Sequence, residues 1–444
     1  MMIFKRKLYQ TLLDWKTQRD GKTAILIEGP RRVGKSTLAE SFAQKEYESY
    51  LKIDFSVAPR EVVSLFEDIS DLDYLFMRLQ FIYKVNLMIR KSVIIFDEVQ
   101  KQPLARQAIK HLVKDRRYDY IETGSLISIK KNVKNILIPS EETRVTLHPM
   151  DYEEFKWALG DTATIPLMQQ AFQHKLSLTD NVNRRLMRDF RLYMLVGGMP
   201  QAVEEYIESN NLNLVDNVKR EILQLYHADF KKIDPTGRTS MMFDAIPAQL
   251  NNNAMRYQVS SIDEKARAAQ VLGTIAEMVD SGTVNIAYHA NDPAVGFAMH
   301  KDMEIFKLYL CDTGLFITLA FRDKSFTDNI LYHKLLNDKM STDLGYVYEN
   351  VVAQMLIAQG NELYYHTFPS ASSHHTHEID FLLSRDSKIC PIEVKSSNYK
   401  RHASFDEFCR KFSQRILHKY LIYTKDLRKE QDILYLPTYM TQFL

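Results

Sequence analysis

The chain has 444 residues, 45% of them apolar and 26% charged, which is typical of a globular protein of about three domains. Its 58 basic and 56 acidic residues leave a formal net charge of +2, so no global field draws it to nucleic acid. No apolar run reaches the roughly 18 residues of a membrane span, the first residues lack the order of a signal peptide, and three scattered cysteines exclude a disulfide framework; we expect a cytoplasmic protein without a membrane partner.

A phosphate-binding loop follows the first predicted strand. Residues 24–27 are apolar and lead into residues 29–37, which fit the pattern G-x-x-x-x-G-K-[S/T]. Backbone amides of such a loop point at phosphate oxygens, its lysine reaches the outer phosphates, and its hydroxyl ligates magnesium. The predicted cofactors are ATP and Mg²⁺, and the predicted nucleotide-binding residues here are Gly29, Pro30, Arg31, Arg32, Val33, Gly34, Lys35, Ser36 and Thr37.

Residues 22–148 alternate short β-branched runs with amphipathic stretches. This pattern predicts an α/β domain with a parallel sheet and helices on both faces. Along the chain, a strand lies between the phosphate loop and the strand that ends at Asp97. After the first strand, we predict strands at 50–55, 92–97, 118–123 and 143–147.

An acidic pair stands at the end of the predicted strand 92–97. Asp97 is predicted to hold magnesium, mostly through water, and Glu98 to polarise the water that attacks the outer phosphate. The pair therefore predicts ATP hydrolysis rather than nucleotide binding alone, with Lys35 and Glu98 as catalytic residues.

Polar residues follow the next two strands. The hydroxyls of Thr123 and Ser125 either sense the outer phosphate and fix the water, or form a turn. Arg144 either stabilises transition-state charge, in its own site or in that of a neighbouring subunit, or is a surface arginine. A homo-oligomer therefore remains open.

The rest of the chain is predicted to be helical first and α/β at its end. Gly197, Gly198 and Pro200 must end one helix before another begins, within a helical lid or connector. Helices followed by two strand-like runs between 243 and 310 predict a winged helix, or alternatively a helical spacer. The predicted domains are an ATPase core at 1–160, a lid at 161–240, a winged helix at 241–330 and an α/β domain at 331–444.

These motifs together resemble those of bacterial and archaeal AAA-type ATPases that carry a C-terminal module of uncharacterised role. The resemblance covers nearly the whole chain. It implies an ATPase core of the additional-strand catalytic-glutamate type, a winged-helix middle and a restriction-endonuclease-like end. The sensor asparagine of many AAA-type proteins is replaced here by residues 123–125. The resemblance is carried by residues 29–36, 96–100, 123–125, 197–200, 246–250, 307–314 and 348–352.

A second active site is predicted near the end of the chain. Strand alternation sends Glu393 and Lys395 to one face, and pairing with the strand around residue 381 would bring Asp380 beside Glu393. Two carboxylates hold Mg²⁺ or Mn²⁺ against a phosphodiester, and a lysine positions water and stabilises charge. Glu349, on the preceding helix, would complete the metal site with Asp380 and Glu393.

The pattern of Asp380 followed by Glu393 and Lys395 resembles the PD-(D/E)xK nuclease superfamily, whose members cut DNA or RNA. The resemblance implies Asp380, Glu393 and Lys395 as catalytic residues and DNA as a partner; the alternative is a solvated ion pair. Basic residues at 130–134 and 400–402 suit phosphate contacts or solvated loops. The histidines of 374–377 are either metal ligands or part of a polar loop.

Three functions follow from these observations. The first is a magnesium-dependent ATPase whose nucleotide state controls a C-terminal nuclease acting on DNA, in DNA processing or defence. The second is an ATP-driven switch whose inactive nuclease-like domain grips nucleic acid or a protein. The third, a small-molecule kinase, is disfavoured by the chain length and by Glu98.

Overall fold

The computed structural model describes residues 2–124, 140–252, 254–259, 268–322, 344–370 and 375–444. The chain divides into two compact units. The first unit comprises Met1–His148 with Asp280–Gly282, and the second comprises Pro149–Val279 with Thr283–Leu444.

The first unit is built on a parallel sheet of five strands in the order β2-β3-β4-β1-β5. The α/β domain predicted for the N-terminal region is confirmed, and every predicted strand lies within one residue of its observed position. The strands are β1 (Ala24–Glu28), β2 (Ser49–Asp54), β3 (Ser92–Asp97), β4 (Asp119–Thr123) and β5 (Glu142–Thr146).

Helices cover both faces of this sheet because its central strands are apolar on both sides. On one face, Leu12 and Trp15 of α1 pack with Phe42 of α2. On the other face, Leu79 of α4 and Ile109 of α5 pack against the strands. The helices are α1 (Leu8–Arg19), α2 (Lys35–Glu46), α3 (Arg60–Ser64), α4 (Leu72–Tyr83) and α5 (Pro103–Asp115).

The order of the sheet places β4 between β1 and β3. In the sheet, therefore, β4 lies between the phosphate-loop strand β1 and the strand β3 that ends at Asp97. Along the chain, the intervening strand is β2, which lies at the edge of the sheet. The carboxyl ends of β1, β3 and β4 consequently meet at one edge of the sheet.

The second unit begins with helices and includes the predicted break. Helix α8 ends at Val196, and α9 begins at Pro200, where the missing amide hydrogen of proline is tolerated in the first turn. The helices are α6 (Tyr152–Ala158), α7 (Thr164–His174), α8 (Asp180–Val196), α9 (Pro200–Ser209), α10 (Leu212–Ile233), α11 (Arg238–Asn251), α12 (Ala268–Asp280), α13 (Phe297–His300), α14 (Thr313–Ala320), α15 (Gly345–Ala358) and α16 (Ala403–Lys411).

The second unit also contains a mixed sheet of eight strands in the order β12-β13-β11-β10-β9-β8-β6-β7. Aromatic side chains of α16, Phe405 and Phe408, pack against its strands. The strands are β6 (Val284–Ala290), β7 (Lys301–Leu310), β8 (Leu363–Pro369), β9 (Thr376–Arg385), β10 (Lys388–Val394), β11 (Lys419–Tyr423), β12 (Arg428–Glu430) and β13 (Ile433–Pro437).

The predicted winged helix is not confirmed, because its two strands belong to this larger sheet. Strands β6 and β7 pair as a hairpin, and β6 pairs in parallel with β8. The hairpin thus extends the sheet that carries the C-terminal strands. A restriction-endonuclease-like fold and the four-domain division stay predictions.

Within the described ranges, none of the helices combines the length and the apolar character needed to span a bilayer.

Candidate functional site

The loop after β1 has the backbone conformation that a phosphate-binding loop requires. Gly29 and Gly34 both have positive φ angles, 145° and 97°, a region that favours glycine. A Cβ atom at Gly29 would also overlap the carbonyl oxygen of Leu147. Helix α2 begins directly after Gly34, so the loop amides and the amino end of the helix face the same space.

Lys35 is buried within this loop. Its Nζ donates hydrogen bonds to the carbonyl oxygens of Gly29 at 2.8 Å and Pro30 at 2.9 Å. Burial lowers the pKa of the Lys35 ammonium to about 8, although the nearby charges of Glu98 and Asp97 oppose this shift. A buried ammonium of this kind gains further stabilisation from an anionic ligand such as phosphate.

Asp97 brings together three of the predicted site residues. Its Oδ1 accepts a hydrogen bond from the Ser36 hydroxyl at 2.6 Å and another from the Thr123 hydroxyl. Lys52 of β2, which the motif did not predict, places its Nζ 3.5 Å from Asp97 Oδ2 and 2.9 Å from Glu40. Only the strand order could have indicated Lys52, because it lies on the strand that neighbours β3.

Glu98 follows Asp97 in a left-handed backbone conformation, with φ 56°. Its amide donates to the Thr123 hydroxyl at 3.4 Å, and Gln100 Nε2 donates to its Oε2 at 2.5 Å. The carboxylate is therefore held by Gln100, two residues along the chain. Gln100 belongs to the motif at 96–100, but the sequence predicted no role for it.

Arg144 is not brought together with Lys35 and Asp97. It lies opposite Leu26 in the sheet, and its Nε donates to Glu142 Oε1 at 2.8 Å, towards the start of β5. The phosphate loop lies at the other end of these strands. A role for Arg144 in a neighbouring subunit stays a prediction.

Arg6 contacts the phosphate loop from the beginning of the chain. Its guanidinium, which is buried, donates to the carbonyl oxygens of Val33 at 3.0 Å and His148 at 2.6 Å. It thereby ties the loop to the segment that follows β5. No local pattern predicts this contact, because Arg6 precedes the loop by more than 20 residues.

Two features predicted for the N-terminal region fall outside the described residues: Ser125 and the basic cluster at 130–134.

The second predicted site lies in the second unit, on β9, β10 and α15. Phe381 pairs with Ile392 across the antiparallel strands, so Asp380 and Glu393 are neighbours one residue further on. Asp380 Oδ2 accepts a hydrogen bond from the amide of Val394 at 2.7 Å, and Lys395 Nζ lies 2.6 Å from Glu393 Oε1. The structure thus brings Asp380, Glu393 and Lys395 together.

Three carboxylates in this region are arranged to share a cation. Glu349, Glu378 and Asp380 each offer an oxygen, and these oxygens lie within 4.8 Å of one another. Glu393, which is 4% exposed, has an Oε2 atom without a hydrogen-bond partner among the described residues. Hard oxygen donors of this kind suit Mg²⁺ or Mn²⁺, so the residues fit the predicted metal.

Glu378 is absent from the predicted set, although strand alternation would have found it. It stands two residues before Asp380 on β9 and therefore projects from the same face. The predicted ligand Glu393 lies beside Asp380 rather than within the group formed by Glu349, Glu378 and Asp380.

Two further residues, from the strand β7, contact these carboxylates. Lys307 Nζ lies 3.1 Å from Glu349 Oε1 and also contacts Glu378 Oε1, and the Tyr309 hydroxyl donates to Glu349 Oε1. Lys307 is 4% exposed. Nothing in the D, E-x-K pattern indicates these residues, because they lie far upstream on a strand assigned to another domain.

Burial raises the pKa of three carboxyl groups in this cluster. The value is about 6 for Asp380, about 7 for Glu378 and about 8 for Glu393. Neighbouring carboxylates raise these pKa values further. Glu349 acts on both Asp380 and Glu378, and Asp380 acts on Glu393. Four carboxyl groups share this region with Lys307 and Lys395, so an added cation would favour the ionised forms of the carboxyls.

The other polar groups near this strand are tied locally. His377 bonds to Glu407 at 3.1 Å and to Ser404 at 2.9 Å, both on α16, rather than to Asp380. Lys400 and Arg401 are exposed, which suits either a phosphate contact or a solvated loop. His374 lies outside the described residues.

A family match supports a P-loop ATPase in the first unit. Residues 21–156 match a family model described as an AAA domain. This part of the chain is a P-loop ATPase domain. Residues 187–325 and 344–440 match two domains of unknown function, DUF8612 and DUF4143. No curated protein was found to match the chain.

Several solved structures are similar at low identity. The Walker-type ATPase PABY2304 of Pyrococcus abyssi is 15% identical with a TM-score of 0.43, over 71% of this chain and 96% of that one. The STAND protein PH0952 of Pyrococcus horikoshii, which has a tetratricopeptide repeat sensor, is 11% identical with a TM-score of 0.28, over 81% and 50%. PCH-2 of C. elegans is 14% identical with a TM-score of 0.20, over 36% and 44%. These TM-scores are below 0.5, so the assignment rests on the loop and the family match.

Proposed function

We propose that this protein is a magnesium-dependent ATPase coupled to a C-terminal, metal-dependent nuclease-like site that acts on DNA. The observation that carries the proposal is the grouping of Asp380, Glu393 and Lys395 with two further carboxylates, in a chain that also contains a P-loop ATPase domain. DNA processing or defence against foreign DNA would suit such a machine.

In the ATPase domain, the loop amides and Lys35 would bind the phosphates. Ser36 and Asp97 would hold Mg²⁺, which screens the phosphate charges when it is bound. Glu98 would accept a proton from the attacking water, and Thr123, which donates to Asp97, would orient the water or sense the outer phosphate. Arg144 would act on the site of a neighbouring copy.

In the second unit, Glu349, Glu378, Asp380 and Glu393 would bind Mg²⁺ or Mn²⁺. A metal held there would supply positive charge to the scissile phosphate and activate water. Lys395, whose Nζ lies 2.6 Å from Glu393 Oε1, would orient the water and stabilise the charge that develops on the phosphate. Exposed Lys400 and Arg401 would contact the DNA backbone.

A cleavage assay tests this proposal. Purified protein is incubated with plasmid and linear DNA in Mg²⁺ or Mn²⁺, with and without ATP. Asp380→Asn should abolish cleavage, whereas Asp386→Asn should leave it intact, because Asp386 lies in the turn after β9 with φ 52°, where asparagine is well tolerated. Lys35→Ala should remove the dependence on ATP.

The alternative is an ATP-driven switch with an inactive nuclease-like domain. The ion pairs of Lys307 with Glu349 and Glu378 favour it, because they already neutralise part of the carboxylate cluster. Intact DNA under every metal and nucleotide condition would support this alternative, and binding of nucleic acid without cleavage would identify its ligand.

Assembly is a separate question. If Arg144 acts in trans, the mass of the protein in solution should increase when ATP binds, and Arg144→Ala should reduce turnover only under assembling conditions.

A further inference from the structure

We propose that Lys307 competes with the divalent metal for Glu349 and Glu378, so that this ammonium lowers the metal affinity of the C-terminal site. The inference rests on the proposed metal site. It adds a residue from a strand outside the D, E-x-K pattern, and it assigns to that residue control over loading of the site.

The contacts of Lys307 carry the first step of the argument. Its Nζ approaches one oxygen each of Glu349 and Glu378, two of the three carboxylates arranged to share a cation. Mg²⁺ binds carboxylate oxygens at about 2.1 Å, and Mn²⁺ binds similar oxygen ligands. An ammonium and a divalent ion that share these carboxylates repel each other, so Lys307 in this position opposes metal binding.

Burial carries the second step. Lys307 is 4% exposed, so solvent screens little of its repulsion with a metal ion beside it. The side chain stays in place because both carboxylates and the face of Tyr365, whose ring centroid is 5.4 Å from Nζ, surround it. A metal ion bound to these carboxylates would therefore lie close to the charge of Lys307.

Unused ligand atoms carry the third step. Glu378 Oε2 and Glu393 Oε2 are buried and have no hydrogen-bond partner among the described residues. Buried carboxylate oxygens are normally satisfied, so these two atoms can accept a cation that does not replace Lys307 at the Oε1 atoms. The site is therefore only partly neutralised by its own lysines.

Lys307 and the carboxylates come from different matched regions of the chain. Lys307 lies within the match to one domain of unknown function, at 187–325, and the carboxylates lie within the match to the other, at 344–440. The two matched regions thus contribute to a single site.

The test is a titration of the full-length protein with Mn²⁺ in the absence of nucleotide, followed by electron paramagnetic resonance of the free ion. Lys307→Met removes the charge and keeps the aliphatic stem, and we expect it to bind Mn²⁺ at least about tenfold more tightly than the wild type. Lys307→Arg keeps the charge and should bind as the wild type does. Lys301→Met, on the same strand but over the ring of Tyr288, is the matched control and should change nothing.

Thermal unfolding distinguishes competition from a purely structural role. Without metal, Lys307→Met should unfold at a lower temperature than the wild type, because Glu349 and Glu378 lose their counter-ion. Mn²⁺ should restore the loss, and adding Asp380→Asn should abolish the restoration. If Mn²⁺ does not restore stability while Lys307→Arg folds normally, Lys307 is a structural counter-ion and the proposal fails.

The outcomes separate this inference from the proposed function. Unchanged or weaker Mn²⁺ affinity in folded Lys307→Met, with a wild type that binds Mn²⁺, overturns the competition alone. Absence of Mn²⁺ binding in both proteins overturns the competition and the metal-dependent nuclease together.

Discussion

Replacing Glu98 by glutamine should stop ATP hydrolysis while leaving ATP binding nearly unchanged. The substitution keeps the size of the side chain. The left-handed backbone at φ 56° destabilises glutamate and glutamine to the same extent. Only the group proposed to accept the proton of water is lost. General-base catalysis contributes roughly 10²–10⁴-fold, so we expect kcat to fall by that factor, or about 2.7–5.4 kcal/mol in activation free energy.

The electrostatic effect of this substitution sets the assay pH. The Glu98 carboxylate raises the pKa of Lys35, so the variant has a Lys35 pKa below the wild-type value of about 8. Phosphate release and ATP affinity should therefore be compared at several pH values from 6 to 7, so that a lost Lys35 proton in the variant is recognised by its pH dependence. Gln100→Ala is the matched comparison, because it keeps the carboxylate and removes only the amide that holds it at 2.5 Å; we expect a smaller loss of kcat.

Two results would refute this reasoning. Undiminished phosphate release by Glu98→Gln would show that another group activates the water. A large loss of ATP affinity at pH 7 would show instead that Glu98 supports the loop rather than the chemical step.

Three further predictions concern pH and packing. ATP affinity should be greatest below pH 8 and should fall as the pH rises through about 8, because Lys35 loses its proton there; calorimetry between pH 6.5 and 9.5 measures this, and a flat profile would exclude Lys35 as the phosphate ligand. Gly29→Ala should destabilise the protein by at least about 2 kcal/mol and prevent ATP binding, because the new Cβ meets the carbonyl of Leu147, whereas Gly160→Ala meets no atom within 4 Å and should have a smaller effect on the unfolding temperature. Burial raises the pKa of Asp380 in the folded protein to about 6, so its protonated form contributes to stability when no metal is bound. This contribution is complete below pH 4 and is lost as the pH rises through 6. Urea unfolding in EDTA should show the free energy of unfolding decreasing over this range in the wild type and decreasing less in Asp380→Asn.

The first unit was largely predictable because its signals are local. An apolar strand, two glycines and a lysine within a few residues specify a loop whose backbone can only curl in one way around phosphate. Buried strands are continuous apolar runs in a parallel sheet, so their positions could be read within one residue. The order of the strands in the sheet could not be predicted from the sequence. The position of β4 between β1 and β3 depends on how the connecting helices pack on the two faces of the sheet.

The second unit was less predictable because its decisive pairings are non-local. The hairpin of β6 and β7 has the pattern of a wing, yet it joins the C-terminal sheet through β8, more than 70 residues along the chain. Strand alternation reveals which face a side chain occupies but not which strand lies beside it.

The sequence by itself determined the chemistry that each segment carries: a phosphate loop with Lys35, an acidic pair at Asp97 and Glu98, and a carboxylate and lysine pattern near the C-terminus. Only the tertiary structure decided which groups share a site. It turned Arg144 towards Glu142, placed Arg6 on the phosphate loop, and set Lys307 among the C-terminal carboxylates. The physical reason is that local backbone preferences act over a few residues, whereas charges and buried oxygens find their partners through packing between segments far apart along the chain.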